Sequence, residues 1–287
     1  MNIDVHIIQA FSQDGRGGNG AGVVLGADAL SEAQMQQVAA QVGLSETAFA
    51  SASRLADIRL DFFTPTRRIA HCGHATIGTF SYLRQQGRLQ GDVSSKETVD
   101  GLRAIRFAGH EAYMEQSAPR VTVVDPQTAA AVRTALAIPP EAVAAVPEII
   151  NTGNGFLLVE LSKAAELAAL VPDQALVRQL SEHFGLVGFY VFVRGGVDGL
   201  DAVARMFAPA YGIDEEAATG MAAGPLGCYL WARDPERRAH YRIGQGYHLK
   251  VPSPSLLQVT IESDASGITR VFAGGTAYRL RTLTVAI

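Results

Sequence analysis

Two short segments of this sequence combine a glycine with side chains that can bind or protonate a small molecule. The first is Cys72-Gly73-His74 and the second is Thr219-Gly220-Met221. Each glycine follows a polar loop and opens an almost entirely apolar run, a pattern that predicts the start of a buried helix. The first N–H groups of a helix lack partners inside it and carry the positive end of its dipole. If both helix starts face one cleft, they form a pocket for a small carboxylate-bearing metabolite.

The two segments belong to a longer pattern that occurs twice. Gly43-Leu44-Ser45-Glu46-Thr47-Ala48-Phe49 and Phe63-Thr64-Pro65 precede the first segment, and Gly185-Leu186-Val187-Gly188-Phe189-Tyr190-Val191 and Phe207-Ala208-Pro209 precede the second. The repeated unit is as long as a domain and far longer than a solenoid repeat. The sequence therefore predicts an α+β fold of two pseudo-symmetric lobes, each a β-barrel-like sheet around a central buried helix. We expect the lobes to span residues 1–118 and 119–287, and leave open whether the last strand crosses back to the first lobe.

Periodicity predicts the elements that must position these helices. Apolar residues at helical spacing indicate an amphipathic helix over residues 31–42, capped by Ser31 and ended by Gly43. Its counterpart in the second copy is residues 173–184, closed by Gly185. The two buried helices are predicted over residues 73–84 and 220–231. Strands are predicted over residues 2–11, 57–63, 156–161, 188–193, 257–261 and 280–285.

Composition excludes several function classes. The 287 residues are 48% hydrophobic, enough for one or two substantial cores without disulfides, and the formal net charge is -4. Basic runs are short, so neither nucleic acid nor an anionic membrane is expected as a partner. The amino terminus lacks the pattern of a secretion signal and no apolar run suits a membrane span, so we expect a cytoplasmic protein. Cys72 and Cys228 are then expected to be free thiols, with Cys228 a core residue.

No metal or organic cofactor is expected. The chain has seven histidines, and no two of them have the i, i+4 spacing of a helical zinc motif. Gly15-Arg16-Gly17-Gly18-Asn19-Gly20 is rich in glycine, but no predicted helix follows it. It therefore lacks the structural context that a nucleotide-binding loop requires.

Six motifs, in order along nearly the whole chain, resemble those of the phenazine-biosynthesis PhzF family. They are Gly43-Leu44-Ser45-Glu46-Thr47-Ala48-Phe49, Phe63-Thr64-Pro65, Gly73-His74-Ala75-Thr76-Ile77-Gly78, Ala218-Thr219-Gly220, Gln245-Gly246-Tyr247 and Pro252-Ser253. That family is similar in fold to diaminopimelate epimerase and proline racemase, with two lobes and a site in the cleft. The resemblance implies a cofactor-free isomerase, commonly a homodimer. In PhzF the reaction is a proton shift in trans-2,3-dihydro-3-hydroxyanthranilate.

The resemblance assigns the role of general acid/base to Glu46, and the surroundings of this residue agree. Its apolar neighbours indicate a buried strand, where a carboxylate is energetically costly and is therefore expected to have a function. Burial would raise its pKa toward the range useful for proton transfer at neutral pH. The second copy has Gly188 at this position, so the fold itself does not require a carboxylate here. The structural alternative is a glutamate at a strand end, paired with Arg67 or Arg68.

The same motifs predict the substrate-binding residues. Gly73 and His74 match the family's Gly-His pair and are expected to face the substrate, with a hydrogen-bonded core histidine as the alternative. The other candidates lie at the second helix start and in an early loop that matches the family's Asn-Pro-Ala segment: Glu216, Thr219, Gly220, Met221 and Asn19. For Asn19 a purely structural role in the loop is the alternative.

Three positions depart from the family pattern. Glu216 and Met221 stand where the family usually has aspartate and serine, and Val251 stands where it has arginine. A longer carboxylate, a missing hydroxyl and a lost cation all change the shape and hydrogen bonding of a pocket. The sequence therefore leaves the identity of the substrate open.

Cys72 supports an alternative mechanism. Epimerases and racemases of the related fold use two opposed cysteines, but the second position here is Thr219, whose hydroxyl is a poor base, and a two-thiol racemase is excluded. A one-thiol epimerase or dehydratase of a cyclic amino acid remains open, because a helix start lowers the pKa of a thiol. A packing role for Cys72 is equally compatible with the sequence. A second alternative is a non-catalytic small-molecule binding protein, which would need the pocket but not Glu46.

Overall fold

The computed structural model describes residues 1–287 as two compact units. The first unit comprises residues 1–115 together with residues 274–287, and the second comprises residues 116–273. The division drawn from the sequence, after residue 118, lies close to the first of these boundaries. The last strand belongs to the first unit.

The first unit is mainly β-sheet with two helices. Before the chain enters the second unit its elements are β1 (Asn2–Ala10), β2 (Asn19–Leu25), α1 (Glu32–Val42), β3 (Thr47–Ser51), β4 (Ile58–Phe63), β5 (Arg68–Ile69), α2 (Gly73–Gln85), β6 (Val93–Thr98), β7 (Gly101–Ala108) and β8 (Glu111–Gln116). Strands β2 and β3 pair in parallel, β3 and β4 pair antiparallel, and β4 and β6 pair in parallel. This order of pairings is the signature of the unit.

The second unit repeats that order. Its elements are β9 (Arg120–Val123), α3 (Pro126–Leu136), β10 (Glu148–Asn151), β11 (Gly155–Glu160), α4 (Ala164–Ala169), α5 (Gln174–Phe184), β12 (Gly188–Arg194), β13 (Ala202–Ala208), β14 (Ile213–Glu216), α6 (Gly220–Arg233), β15 (His240–Gln245), β16 (Ser255–Asp264) and β17 (Gly267–Gly275), whose end passes into the first unit. Strands β11 and β12 are parallel, β12 and β13 antiparallel, and β13 and β15 parallel. The duplication in the sequence is therefore a duplication of topology. Strand β18 (Ala277–Ala286) then pairs antiparallel with β1.

The amphipathic helices begin and end at the residues predicted for them. Ser31 caps α1 with a capping box, in which its hydroxyl accepts from the N–H of Gln34 at 3.3 Å. Asp173 caps α5 in the second unit. Both helices end at a glycine in the left-handed conformation, Gly43 with φ 68° and Gly185 with φ 63°. Local capping chemistry fixes these boundaries, which is why the sequence alone predicts them.

Helices α2 and α6 are buried, as their apolar sequences predict. Helix α2 packs against β1, β2, β3 and β18, and α6 packs against β10, β11, β15 and β16. The approach of α6 to β16 is so close that a Cβ at Gly227 would lie 2.4 Å from Cγ1 of Val259. Each unit thus holds one helix fixed by its own strands, with the helix start available to carry functional groups.

One prediction about local structure is wrong. Glu46 does not lie within a strand but in the short loop between α1 and β3, directly before β3. Helix α3 and strands β6 to β8 were not among the predicted elements. No helix of this structure combines the length and the apolar character needed to cross a membrane.

Candidate functional site

Glu46 is positioned by the parallel pair β2 and β3. The N–H of Gly22 in β2 donates to the carbonyl oxygen of Glu46 at 3.0 Å, which fixes the backbone just before β3 begins. The carboxylate is 14% exposed, so it is largely buried and still reachable from solvent. A side chain with this exposure can contact a substrate while most of its surface is shielded from water.

His74 faces Glu46 from the second position of α2. Its Nε2 lies 3.2 Å from Oε2 of Glu46, and the imidazole is 5% exposed. Of Arg67 and Arg68, the alternative partners of Glu46, Arg68 pairs instead with Asp61 and Glu32, and the ion pair that Glu46 forms is with His74. The structure therefore brings together the two residues to which the sequence assigns proton transfer and substrate contact.

The pair holds opposite charges. Burial raises the pKa of Glu46, but its contacts with His74 and Ser45 outweigh burial and leave the pKa below its ordinary value. The predicted rise in the pKa of Glu46 is therefore wrong. Burial lowers the pKa of His74, whereas the neighbouring Cys72 and Glu46 raise it well above its ordinary value. At neutral pH the site presents an ionised carboxylate beside a cationic imidazole.

Cys72 is the N-cap residue of α2 and lies beside the same imidazole. Its Sγ is 3.6 Å from Nδ1 of His74, and the side chain is buried. Burial raises the pKa of the thiol, and the opposing influence of His74 is smaller. The sequence-based expectation that the helix start lowers this pKa is wrong. A thiol with a raised pKa is a poor base at neutral pH.

These three side chains also have the composition of a metal site. One ligand atom each from Glu46, Cys72 and His74 lies within 4.8 Å of the other two. Carboxylate, thiolate and imidazole are ligands of zinc, but the thiol must lose its proton to bind the ion. Burial opposes that loss, and the expected absence of a metal or cofactor stays a prediction.

The second helix start is built on hydrogen bonds. Thr219 is the N-cap residue of α6, and its hydroxyl donates to Oε2 of Glu216 at 2.5 Å. Gln245 is fully buried, accepts from the N–H of Thr219 at 3.1 Å and donates to the carbonyl of Glu216 at 2.7 Å. The hydroxyl of Tyr190 donates to the same amide oxygen at 2.9 Å. The neighbouring Glu215 forms an ion pair with Arg205.

The remaining candidates of this helix start lie where the sequence places them. The carbonyl of Gly220 accepts from Nε2 of Gln116 at 2.9 Å. The Sδ of Met221, which replaces the serine hydroxyl, lies 3.4 Å from Nδ2 of Asn154. The four candidates of the second unit are therefore neighbours within it. That this helix start faces the one bearing His74 stays a prediction.

Asn19 and Val251 occupy more peripheral positions. Asn19 begins β2 opposite Ala10, three residues before the glycine that holds the backbone of Glu46. Val251, which replaces a family arginine, is 79% exposed in the loop after β15.

Two buried polar residues near the helix starts were not among the candidates predicted from the sequence. Gln245 fixes the start of α6, but in the sequence it was recognised only as part of a family motif and no role was predicted for it. A signal was present in the next residue: Gly246 has φ +82°, and a Cβ there would lie 2.2 Å from the carbonyl oxygen of Ser253. The second missed residue is Lys96, a fully buried lysine in β6 beneath the start of α2.

Sequence comparison identifies relatives along nearly the whole chain. The family model PhzC-PhzF, phenazine biosynthesis-like protein, matches residues 8–282. The chain is 35% identical over 239 residues to the uncharacterized isomerase YddE of Escherichia coli O157:H7, covering 80% of each chain. It is 32% identical over 277 residues to trans-2,3-dihydro-3-hydroxyanthranilate isomerase of Pseudomonas chlororaphis, covering 94% of each.

Solved structures share the fold. A Bacillus anthracis phenazine biosynthesis protein of the PhzF family superposes with a TM-score of 0.90 at 25% identity, covering 100% of both chains. A hydroxyproline epimerase from Agrobacterium vitis has a TM-score of 0.61 at 13% identity, covering 100% of this chain and 93% of its own. The second likeness shows the fold alone, a mixed α and β architecture similar to that of the proline and diaminopimelate epimerase-like proteins.

Proposed function

This chain belongs to the PhzC-PhzF family of phenazine biosynthesis-like isomerases, and we propose that it shifts a proton within a small carboxylate-bearing metabolite. Glu46 is the general acid/base in this proposal. The observation that carries it is the contact of 3.2 Å between Oε2 of Glu46 and Nε2 of His74 at the start of α2. A buried charge pair of this kind suits proton transfer, because each member holds the other in its reactive protonation state.

The geometry supports a two-step transfer. Ionised Glu46 removes a proton from a carbon of the substrate, and the electron pair moves into the conjugated system of the substrate. The cationic His74 stabilises the negative charge that develops there. Glu46 then returns the proton to a different carbon, so that atoms and electrons balance without an oxidant or a cofactor.

The carboxylate of the substrate belongs, in this proposal, at a helix start. The first turn of α2 combines the positive end of a helix dipole with the cationic imidazole of His74. Glu216, Thr219 and Met221 of the second unit are proposed to contact the other polar groups. Because Glu216 and Met221 differ from the family's usual residues, the substrate need not be the one named for the Pseudomonas relatives.

Deuterium exchange tests the proposal. The wild-type protein is incubated in deuterated water with trans-2,3-dihydro-3-hydroxyanthranilate and with a panel of cyclic amino and hydroxy acids, and deuterium uptake into each compound is measured by mass spectrometry. Glu46→Gln should lose at least about 10²-fold of the exchange rate while retaining binding, since the amide keeps the shape but cannot accept the proton.

Cys72→Ser is the matched control. Because burial keeps the thiol protonated, this variant should exchange at close to the wild-type rate. An inactive Cys72→Ser beside an active Glu46→Gln would instead establish the one-thiol epimerase or dehydratase. Binding without exchange of any substrate proton would establish a binding protein.

A further inference from the structure

Lys96 is a buried amine with uncharged partners. Its side chain is fully buried in β6, and Nζ lies 2.9 Å from Oγ1 of Thr76 and 3.2 Å from Nδ1 of His71. The ring of Phe62 lies 5.5 Å from the same nitrogen. Burial, followed by the nearby charges of Lys96 and Arg103, lowers the pKa of His71 to about 3, so this histidine is neutral. Packing alone does not call for a lysine, because a buried ammonium with neutral partners is costly.

Hydrogen bonds connect this amine to the proton-transfer site. Lys96 donates to the hydroxyl of Thr76, and that hydroxyl donates to the carbonyl oxygen of Cys72 at 2.7 Å. The N–H of Thr76 donates to the same carbonyl at 3.3 Å. Lys96 thereby ties β6 to the first turn of α2, the turn that carries His74. A shift of this turn would move the imidazole away from Glu46.

The amine titrates near neutral pH. Burial lowers its pKa to about 7; a negative charge at Cys72 or at Asp100 in the turn after β6 raises it, whereas Arg103 in β7 lowers it. The groups that face it are therefore His71, Cys72, Asp100 and Arg103. An anion bound at the first turn of α2 would favour the ammonium form by Coulomb attraction.

We propose that Lys96 is a positioning residue for the substrate, which fixes the first turn of α2 through Thr76 and takes up a proton when an anion binds there. The inference rests on the proposed function in taking that turn as the place of the substrate carboxylate. It predicts that anion affinity is highest below the pKa of free Lys96 and falls as the pH rises through it. Above the raised pKa of the bound form, the amine is neutral in both states and affinity levels off.

Lysine NMR tests the proposal directly, because the chain contains only Lys96, Lys163 and Lys250. Protein labelled with ¹³C-lysine is titrated with and without saturating 3-hydroxyanthranilate as the anionic probe. The Lys96 signal should titrate near pH 7 in the free protein, and its midpoint should rise when the probe binds. A Lys96 midpoint above about 9 in the free protein, or a midpoint unmoved by bound probe, would overturn the inference.

Two variants separate the charge from the packing. Lys96→Met should bind the probe more weakly than wild type at every pH because the hydrogen bond to Thr76 is lost, and the loss should be about tenfold larger at pH 6 than at pH 9, since one pKa unit of coupling corresponds to a factor of ten. Lys96→Arg, which stays charged, should keep the low-pH affinity at both pH values. Lys163→Met, an exposed position at the start of α4, is the matched control and should follow the wild-type curve. An equal loss at both pH values in Lys96→Met would overturn the proposed proton uptake.

This test and that of the proposed function fail in different ways. If Glu46→Gln abolishes exchange while Lys96→Met retains the wild-type pH dependence, the isomerase proposal stands and the role of Lys96 is rejected. If Lys96 responds to the probe but no compound exchanges deuterium, the charge-compensated anion site stands and the proton-transfer proposal is rejected. Thermal unfolding of each variant shows whether it is folded, and the wild-type titration needs no variant.

Discussion

The two helix starts use one backbone arrangement for two purposes. In the first unit, the turn at Cys72 to His74 is surrounded by groups that can gain or lose a proton. In the second unit, the turn at Thr219 is held by the uncharged Gln245 and by the hydroxyl contact with Glu216. The comparison shows that the duplicated units share a scaffold, whereas the cluster of glutamate, cysteine and histidine occurs at the first helix start.

Packing enforces part of this difference. Gly188 occupies in the second copy the position that Glu46 occupies in the first. A Cβ at Gly188 would lie 2.1 Å from the carbonyl oxygen of Phe207, so no side chain fits there. A second carboxylate at the equivalent position is therefore incompatible with the strand pairing, and the asymmetry of the two helix starts is structural.

The largest difference between the two helix starts is expected when one carboxylate in each unit is neutralised. Glu46→Gln should lower kcat by about 10²–10⁴-fold, because the general acid/base is lost. Glu216→Gln should lower it by less than about tenfold, because the amide oxygen can still accept from the hydroxyl of Thr219. Steady-state rates of deuterium incorporation measure both. A larger loss in Glu216→Gln would place the principal proton-transfer group in the second unit.

A smaller effect is expected when the second helix start loses its internal support. Gln245→Leu leaves the hydroxyl of Tyr190, the N–H of Thr219 and the carbonyl of Glu216 without their buried partner. The free energy of unfolding should fall by at least about 2 kcal/mol, measured by urea denaturation.

Gln90→Leu, at an exposed site, is the control for that variant and should change stability by less than about 0.5 kcal/mol. An unchanged unfolding midpoint in Gln245→Leu would mean that the second helix start does not depend on this glutamine. The contrast between the two helix starts, in which hydrogen bonds to Gln245 hold the start of α6, would then be wrong.

The smallest expected effect is a change in the pKa of His74 at the first helix start. The contact with Glu46 raises the pKa of His74, so Glu46→Gln should lower it. The stabilisation from this histidine is present below its unfolded pKa and is lost as pH rises through the folded pKa. Glu46 contributes the converse, because its lowered pKa gives stability that is lost as pH falls through that value. The stabilisation from the pair is therefore fully present between the unfolded pKa of Glu46 and the unfolded pKa of His74, and it declines on either side of that window.

NMR of ¹³C-labelled histidine measures this change. The titration of His74 is followed in wild type and in Glu46→Gln, with His183 of the second unit as an internal reference. An identical His74 curve in both proteins would show that the two side chains do not form an ion pair in solution.

Local signals explain what the sequence predicted well. The sequence predicted four helices correctly, the capped helices α1 and α5 and the apolar helices α2 and α6. Caps and apolar faces depend on residues that are close together in the sequence, so they can be recognised without a structure. The choice of Glu46 and His74 as candidate site residues followed from short motifs, and the structure shows that the two side chains lie in contact. Family membership and the isomerase class were likewise contained in these motifs.

Long-range burial explains what the sequence predicted poorly. The signs of the pKa shifts of Glu46 and Cys72 were wrong because each depends on a balance between burial and the nearby His74 that only coordinates show. Lys96 follows two serines in a strand of mixed polarity, and nothing nearby in the sequence indicates that it is fully buried. The partners of Gln245 are Tyr190 in β12 and the turn from Glu216 to Thr219, both distant from it in the sequence.

The position of β18 has a consequence for how the protein is made. Residues 277–286 leave the ribosome after the entire second unit, yet they pair with β1 and pack against α2. The first unit, although most of it is synthesised first, therefore lacks one wall of its helix until residues 277–286 have been synthesised. The turn bearing His74 matures late, and ribosome-bound chains that stop before residue 277 should hold a folded second unit beside a first unit that is not yet competent for proton transfer.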